Sequence, residues 1–253
     1  MAGGIGRETA LALTQHGISA LMSADIDLKA AESVVEQAKE KASKAKSNFK
    51  AYAMQVDVTS ESSVQSMVES VREKFGRIDY FVNASGVSLS LVHQPNQLQA
   101  SNVSTNQCHW SQFGAGGQKP VTSYELDEYR KLDDAHHIGT FLLLRAVINC
   151  MLKQDLRTIP LPGRSNSSSP RSQSRGSIVV VASLASEGGY LGVSPYVAAK
   201  HAVKGLVKTC GMLHVPHSTC CRDATDVNSS SGERTKRHPN QRCLSFVCIR
   251  SDD

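Results

Sequence analysis

No apolar run in the chain approaches the ~20 residues that a membrane-spanning helix needs. The longest, Phe141–Leu152, is broken by Arg145 and Asn149. The first residues, MAGGIGRETALALTQHG, lack the basic stretch and greasy core of a secretory signal, so a cytoplasmic protein with no membrane contact is expected. No cysteine pair has C-x-x-C spacing. Cys108 and Cys150 stand alone, while Cys210, Cys220, Cys221, Cys243 and Cys248 crowd the end, where His214 and His217 complete no zinc pattern. No metal site is therefore expected. The formal net charge of +5 is small and spread out, which argues against a nucleic-acid-binding face. With 253 residues the chain suits one large α/β domain.

What is present alternates between helix and strand. Gly6 to Gly17 reads as a short helix stopped by glycine, and Ile18–Ala24 as a buried strand closed by Asp25. Leu28–Lys46, rich in Ala, Glu and Lys, is expected to be helical, and Ala51–Val56 to be a strand running into Asp57-Val58. Ser60 is a candidate N-cap and Gly76 a stop for a helix whose Val64, Met67, Val68, Val71 and Phe75 share one face. Further strands are expected at Ile78–Val82 and Ser177–Ala182, with helices at Tyr124–Leu152 and Pro195–Thr209. This order implies βαβ units and a parallel sheet covered on both faces. Two polar stretches interrupt it, Val87–Ser123 and Lys153–Gly176. The second carries Lys153, Arg157, Arg164, Arg171 and Arg175 against Asp155 alone and is expected to be a solvated, disordered surface insertion rather than a nucleic-acid site.

Three groups of residues carry chemistry. In SPYVAAK, Ser194 can cap a helix and Pro195 suits its first position, which places Tyr196 and Lys200 on one face at i, i+4 spacing. A nearby ammonium favours the phenolate, so the phenol can exchange a proton with a substrate hydroxyl while hydride moves elsewhere. Ser183 lies thirteen residues earlier, at the C-terminal end of a strand, where ligands bind in parallel α/β sheets. A hydroxyl there can hydrogen-bond a reacting carbonyl. At the other end Gly3, Gly4, Ile5 and Gly6 precede a helix, and glycines there let backbone approach a pyrophosphate. Asp25 closes the next strand, where a carboxylate can accept from a ribose diol.

These motifs in this order, together with Asp57-Val58 and VNASG at Val82–Gly86, resemble the short-chain dehydrogenase/reductase family from residue 1 to about Thr209. The resemblance implies a Rossmann-type fold, a doubly wound parallel sheet in a three-layer αβα arrangement. It implies hydride transfer between a nicotinamide dinucleotide and an alcohol or carbonyl substrate, and a homo-oligomer by analogy. In that reading Tyr196 is the acid/base, Lys200 lowers its pKa and holds the nicotinamide ribose, and Ser183 orients substrate. Gly4, Ile5 and Gly6 approach the phosphates, Asp57 and Val58 the adenine, and Asn83 and Gly86 the central cofactor region. Asp25 favours NAD by repelling a 2′-phosphate, while an arginine from elsewhere would still admit NADP.

Departures from the family set further expectations. Where the family places an asparagine, three residues before Gly139, this chain has His136, which can donate and accept in a proton relay or be a helical histidine without a role. The family's first central strand would precede Met1, so the strands at 18–24 and 78–82 are expected to lack the neighbour between them and to expose edges. Residues 210–253 show neither the expected final strands nor a Pro-Gly loop, and read as a disordered or out-of-frame tail. The alternative to an active oxidoreductase is a non-catalytic remnant that binds a dinucleotide weakly or does not fold.

Overall fold

The computed structural model describes residues 4–42, 48–86, 119–158, 173–212, 219–223 and 246–250. Its strands are β1 (Ala20–Asp25), β2 (Lys50–Gln55), β3 (Tyr80–Asn83), β4 (Arg157–Thr158), β5 (Gln173–Ser174), β6 (Gly176–Val180), β7 (Thr219–Asp223) and β8 (Phe246–Arg250). The helices are α1 (Ile5–Gln15), α2 (Leu28–Ala42), α3 (Glu61–Phe75), α4 (Leu126–Asp133), α5 (Gly139–Leu152) and α6 (Ser194–Met212). Six strands form one sheet in the order β2-β1-β8-β3-β6-β7, and β4 and β5 form a separate pair.

Side-chain alternation divides the core into two layers. Ala20, Met22 and Ala24 of β1, Phe81 of β3 and Ile178 of β6 face the α3, α5 and α6 side. Leu21 and Val82 face α1 and α2, where they meet Leu11, Val34, Val35 and Ala38. Every residue of β1 is buried, as a strand covered on both faces requires, whereas β2 at the edge is half exposed. The three-layer arrangement is the expected one.

The α3 helix follows its sequence signals closely. Ser60 sits in extended conformation and its hydroxyl accepts the Ser63 amide at 3.3 Å; Gly76 ends the helix with φ 80. Val64, Met67, Val68, Val71 and Phe75 are its buried face. Burying each such side chain contributes roughly 1.5–3 kcal/mol.

The helix expected over Tyr124–Leu152 is α4 and α5 joined by a π-turn at Asp134–Ile138. Read as one column, Leu126–Leu152 is 27 residues long and apolar enough to cross a bilayer by length and composition, which the shorter run at Phe141 did not suggest. Leu132, Leu143, Val147 and Met151 are nevertheless fully buried against the domain, the pattern of a core helix.

Two expectations are corrected. Lys153–Gly176 was expected to be a disordered insertion, yet both its described ends are ordered. Arg157 pairs with Ser174 and Thr158 with Gln173. The Gln154 amide bridges two segments, donating to the carbonyls of Ile78 (3.0 Å) and Arg175 (2.7 Å) and accepting from the Ile78 amide (2.7 Å). Arg157 is balanced by Asp79, 3.3 Å away, which also takes Arg77 at 2.6 Å. The carboxylate that offsets these arginines comes from β3's approach, which a local charge count does not see.

The second correction is at the sheet centre. The slot between β1 and β3 is filled by β8, running antiparallel to both, with Leu21 and Tyr80 each opposite Ile249 and Ala24 and Asn83 each opposite Phe246. β7 extends the other side in parallel with β6. The expectation of exposed inner edges and of a tail without strands therefore does not hold for these segments. Phe246–Arg250 is a short apolar run of β-forming residues, sufficient to supply the missing ladder partners.

Candidate active site

The parallel strands β1, β2, β3 and β6 end along one edge, since Asp25 pairs in register with Gln55 and Asn83 with Val180. The N-terminus of α1 opens beside β1. Gly4 precedes that helix with extended backbone and Gly6 is buried within it; Gly3 lies outside the described residues. Asp25 is buried at the end of β1 and accepts the Asp27 amide at 3.0 Å. Burial pushes its carboxyl above the ordinary value, with a smaller push from the Asp27 charge and opposition from the backbone amides of Asp27 and Ile26.

Asp57 uses Oδ1 to accept both the amide (2.9 Å) and the hydroxyl (2.7 Å) of Thr59, which shapes the turn after β2. The adjoining Val58 packs on Gly139 so closely that a Cβ there would stand 2.8 Å from Val58 Cγ2. The Asn83 carboxamide points inward. It donates to Thr140 Oγ1 at 3.2 Å and accepts the amide (2.9 Å) and hydroxyl (2.7 Å) of Ser85. Thr140 in turn donates to the His136 carbonyl at 2.6 Å. Asn83 thereby ties the end of β3 to the π-turn, and Gly86 follows half-buried.

That π-turn carries His136 inward, where it is 3% exposed and presents its ring to Tyr196 edge-on, with centroids 5.2 Å apart and planes at 84°. A π-turn adds one residue to a helical circuit and re-aims the side chains it carries. Lys200 is buried one helical turn beyond Tyr196, its ammonium 5.6 Å from the phenol ring centre. Tyr196 itself is half-buried. The Val197 amide donates to the Val193 carbonyl at 3.0 Å, so Val193 opens α6, and the buried Ser194 hydroxyl makes none of the capping bonds expected of it.

Ser183 follows β6 and begins a 3-10 turn, Leu184–Ser186, in which its hydroxyl accepts the Ala185 amide at 3.2 Å. Glu187 at the end of that turn pairs with Lys204 of α6, fixing the turn against the helix that carries Tyr196. Tyr196, Lys200 and His136 are thus assembled around one ring, and Ser183 is held on the neighbouring turn. Two residues that local sequence signals missed, Lys119 and Tyr124, reach this loop as well, each donating to the Gly192 carbonyl.

The family profile described as short chain dehydrogenase matches residues 1–221. The chain belongs to the short-chain dehydrogenase family. It is 34% identical over 215 residues to the short-chain dehydrogenase fogB of Aspergillus ruber, an overlap covering 85% of this chain and 67% of that protein. It is 33% identical over 219 residues to the short-chain dehydrogenase RED2 of Pyricularia oryzae, covering 85% and 68%. Among solved structures it is similar to levodione reductase and to NAD+-bound xylitol dehydrogenase, each with TM-score 0.63 and 24% identity. Those likenesses cover 88% of this chain and 66% and 65% of the solved chains. The chain thus spans about two thirds of the length of the relatives it matches. Membership fixes the fold as Rossmann-type and the reaction class as hydride exchange between a nicotinamide dinucleotide and an alcohol or carbonyl. The residues present fit that cofactor: a glycine-lined helix N-terminus, a buried carboxylate at the end of β1, and a buried ammonium beside the Tyr196 phenol.

Proposed function

We propose that this chain is an NAD-dependent alcohol dehydrogenase or carbonyl reductase in which Tyr196 exchanges the proton. The observation that carries the reading is the Tyr196 ring packed at a right angle to the His136 ring and beside the buried Lys200 ammonium. The ammonium favours the phenolate, so Tyr196 accepts a proton from a substrate hydroxyl in oxidation and returns one in reduction. The nicotinamide, when bound, supplies or accepts the hydride. Ser183 hydrogen-bonds the substrate oxygen as charge develops on it, giving up or sharing its present bond to the Ala185 amide. His136 passes the proton onward between Tyr196 and solvent, the role the family gives to an asparagine.

Gly4, Ile5 and Gly6 would hold the phosphates, Asp57 and Val58 the adenine, and Asn83 and Gly86 the middle of the cofactor. Support for NAD over NADP comes from Asp25. Ribose hydroxyls would donate to its carboxylate and offset the cost of its burial, whereas a 2′-phosphate there would be repelled.

Tyr196→Phe removes only the hydroxyl. Turnover, followed by nicotinamide absorbance with a panel of ketones and aldehydes, should fall by about 10²–10⁴-fold while NADH binding persists. Turnover equal to that of the unmodified chain would sink the assignment. A second reading, dinucleotide binding without turnover, draws on the sheet centre, where β8 runs against its neighbours. NADH binding with no Tyr196-dependent turnover on any of the panel is its signature.

A further inference from the structure

A carbonyl four residues ahead of Tyr196 is held by two donors at once. Gly192 has φ 80, a left-handed conformation that glycine adopts without strain. Its oxygen accepts the Lys119 amide at 3.0 Å and the Tyr124 hydroxyl at 2.8 Å. Lys119 is fixed in turn through its ammonium, 2.7 and 3.0 Å from the two carboxylate oxygens of Glu128. Glu128 is 6% exposed, and its Oε2 also takes the Glu125 amide at 3.2 Å. The Tyr124 ring stands beside the same ammonium, 5.8 Å from its centre.

These contacts join the two segments that converge on the reacting phenol. Gly192 leads through Val193 into the first turn of α6 and so to Tyr196. Glu128 belongs to α4, whose column runs through the π-turn to His136. The segments meet again where the His136 edge faces the Tyr196 ring. The result is a closed circuit, pinned at Gly192 on one side and at the two rings on the other. Without the pin the first turn of α6, which carries Tyr196, would be held less firmly against the π-turn and against the second turn that carries Lys200.

We propose that Tyr124, backed by the Lys119–Glu128 ion pair, is a positioning residue that sets the placement of Tyr196 against Lys200 and His136. The proposal rests on the reading of Tyr196 as acid/base. Tyr124 suits the task chemically. Burial raises its ionisation above the usual phenol range, an effect opposed by the Lys119 cation and aided by the Glu128 charge. That direction favours the protonated hydroxyl, the form that donates to Gly192. Lys200 on its own helix and His136 from the π-turn are titratable groups that face the Tyr196 ring.

The test is an ultraviolet titration of tyrosinate, with a Tyr196→Phe subtraction made in each background so that only Tyr196 is read. A displacement of about 1 Å from Lys200, at an effective dielectric near 20, moves the ionisation midpoint by roughly 0.3 to 0.5 pH. Tyr124→Phe should raise the Tyr196 midpoint by that amount and leave NADH affinity within about twofold. Glu128→Gln, which weakens the ion pair behind Tyr124 and by loss of its charge alone would lower the midpoint, should instead raise it and stands in if Tyr124→Phe fails to fold. Leu191→Ala, at a 91% exposed position in the same loop, should not move it. An unmoved midpoint in both clamp variants, or an equal move in Leu191→Ala, overturns the proposal. Turnover retained in Tyr196→Phe refutes the acid/base reading instead, whatever the titration gives.

Discussion

Gly139→Ala probes the place where the β2 turn meets the start of α5. The added Cβ would lie 2.8 Å from Val58 Cγ2, 3.1 Å from Val58 Cβ and 3.2 Å from the Asp134 carbonyl. Carbon atoms prefer separations of about 3.5–4.0 Å, so Val58 must retreat by roughly 0.7 Å or more. It is branched at Cβ and packed against the main core cluster, which leaves it few rotamers to retreat into. Overpacking of this kind costs about 1–3 kcal/mol, partly offset by the ~1 kcal/mol that alanine gains over glycine inside a helix. The informative experiment is a double-mutant cycle with Val58→Ala. In that background the closest overlap is gone while the helical gain remains, so Gly139→Ala should become neutral or stabilising. The cycle should give a coupling of at least about 1 kcal/mol, worth roughly 2–4 °C in melting temperature for a chain of this size. Urea melts at several wavelengths would establish two-state behaviour first. If the two single effects simply add to within about 0.5 kcal/mol, Val58 and Gly139 are not in contact and the close approach is wrong.

Asp25→Asn has opposite effects on stability and binding. Because burial holds the folded carboxyl above its unfolded value, the native chain takes up the proton first, so the cost of the charge is present at neutral pH and is relieved as pH falls. The substitution should therefore raise the urea midpoint at pH 7, with the gain shrinking on acidification, and should weaken NADH binding about tenfold by neutralising the ribose acceptor; a lowered midpoint at pH 7 would contradict the burial argument. Val247→Pro removes a backbone N–H from the strand between β1 and β3, where Val247 lies opposite Ser23 and Val82. Loss of the cooperative melt and increased light scattering are expected, and an unchanged melt would show that β8 is not in the slot.

How far the sequence spoke depended on whether a signal was local. The α3 helix was legible because its cap, its stop and its apolar stripe all lie within about fifteen residues, and the structure returned each of them. Tyr196 and Lys200 were legible through i, i+4 spacing, and Asp25 through its place at a strand end. The π-turn was not, since a single added residue leaves the composition of the helix unchanged. Residue type alone makes Ser194 a cap, but the Val193 carbonyl opens the helix and the hydroxyl is buried. The stalk made by β4 and β5 is two residues long on each side, too short for any periodicity, and is held by Asp79 from a distant segment and by the neighbouring Gln154, which bridges to Ile78 and Arg175. β8 does not follow from an expected order of elements, only from the pairing that its own short apolar run permits.

The direction and position of β8 bear on how the chain reaches its fold. β1 and β2 can zip together once residue 55 is made, and β3 can pair with β6 much later, but nothing joins these two blocks directly in the sheet. Residues 20–25 and 80–83 find their common partner only at 246–250, the last strand in the sequence. Closure of the sheet thus waits for contacts separated by more than 160 residues, a topology that slows folding and leaves two apolar strand edges open during synthesis.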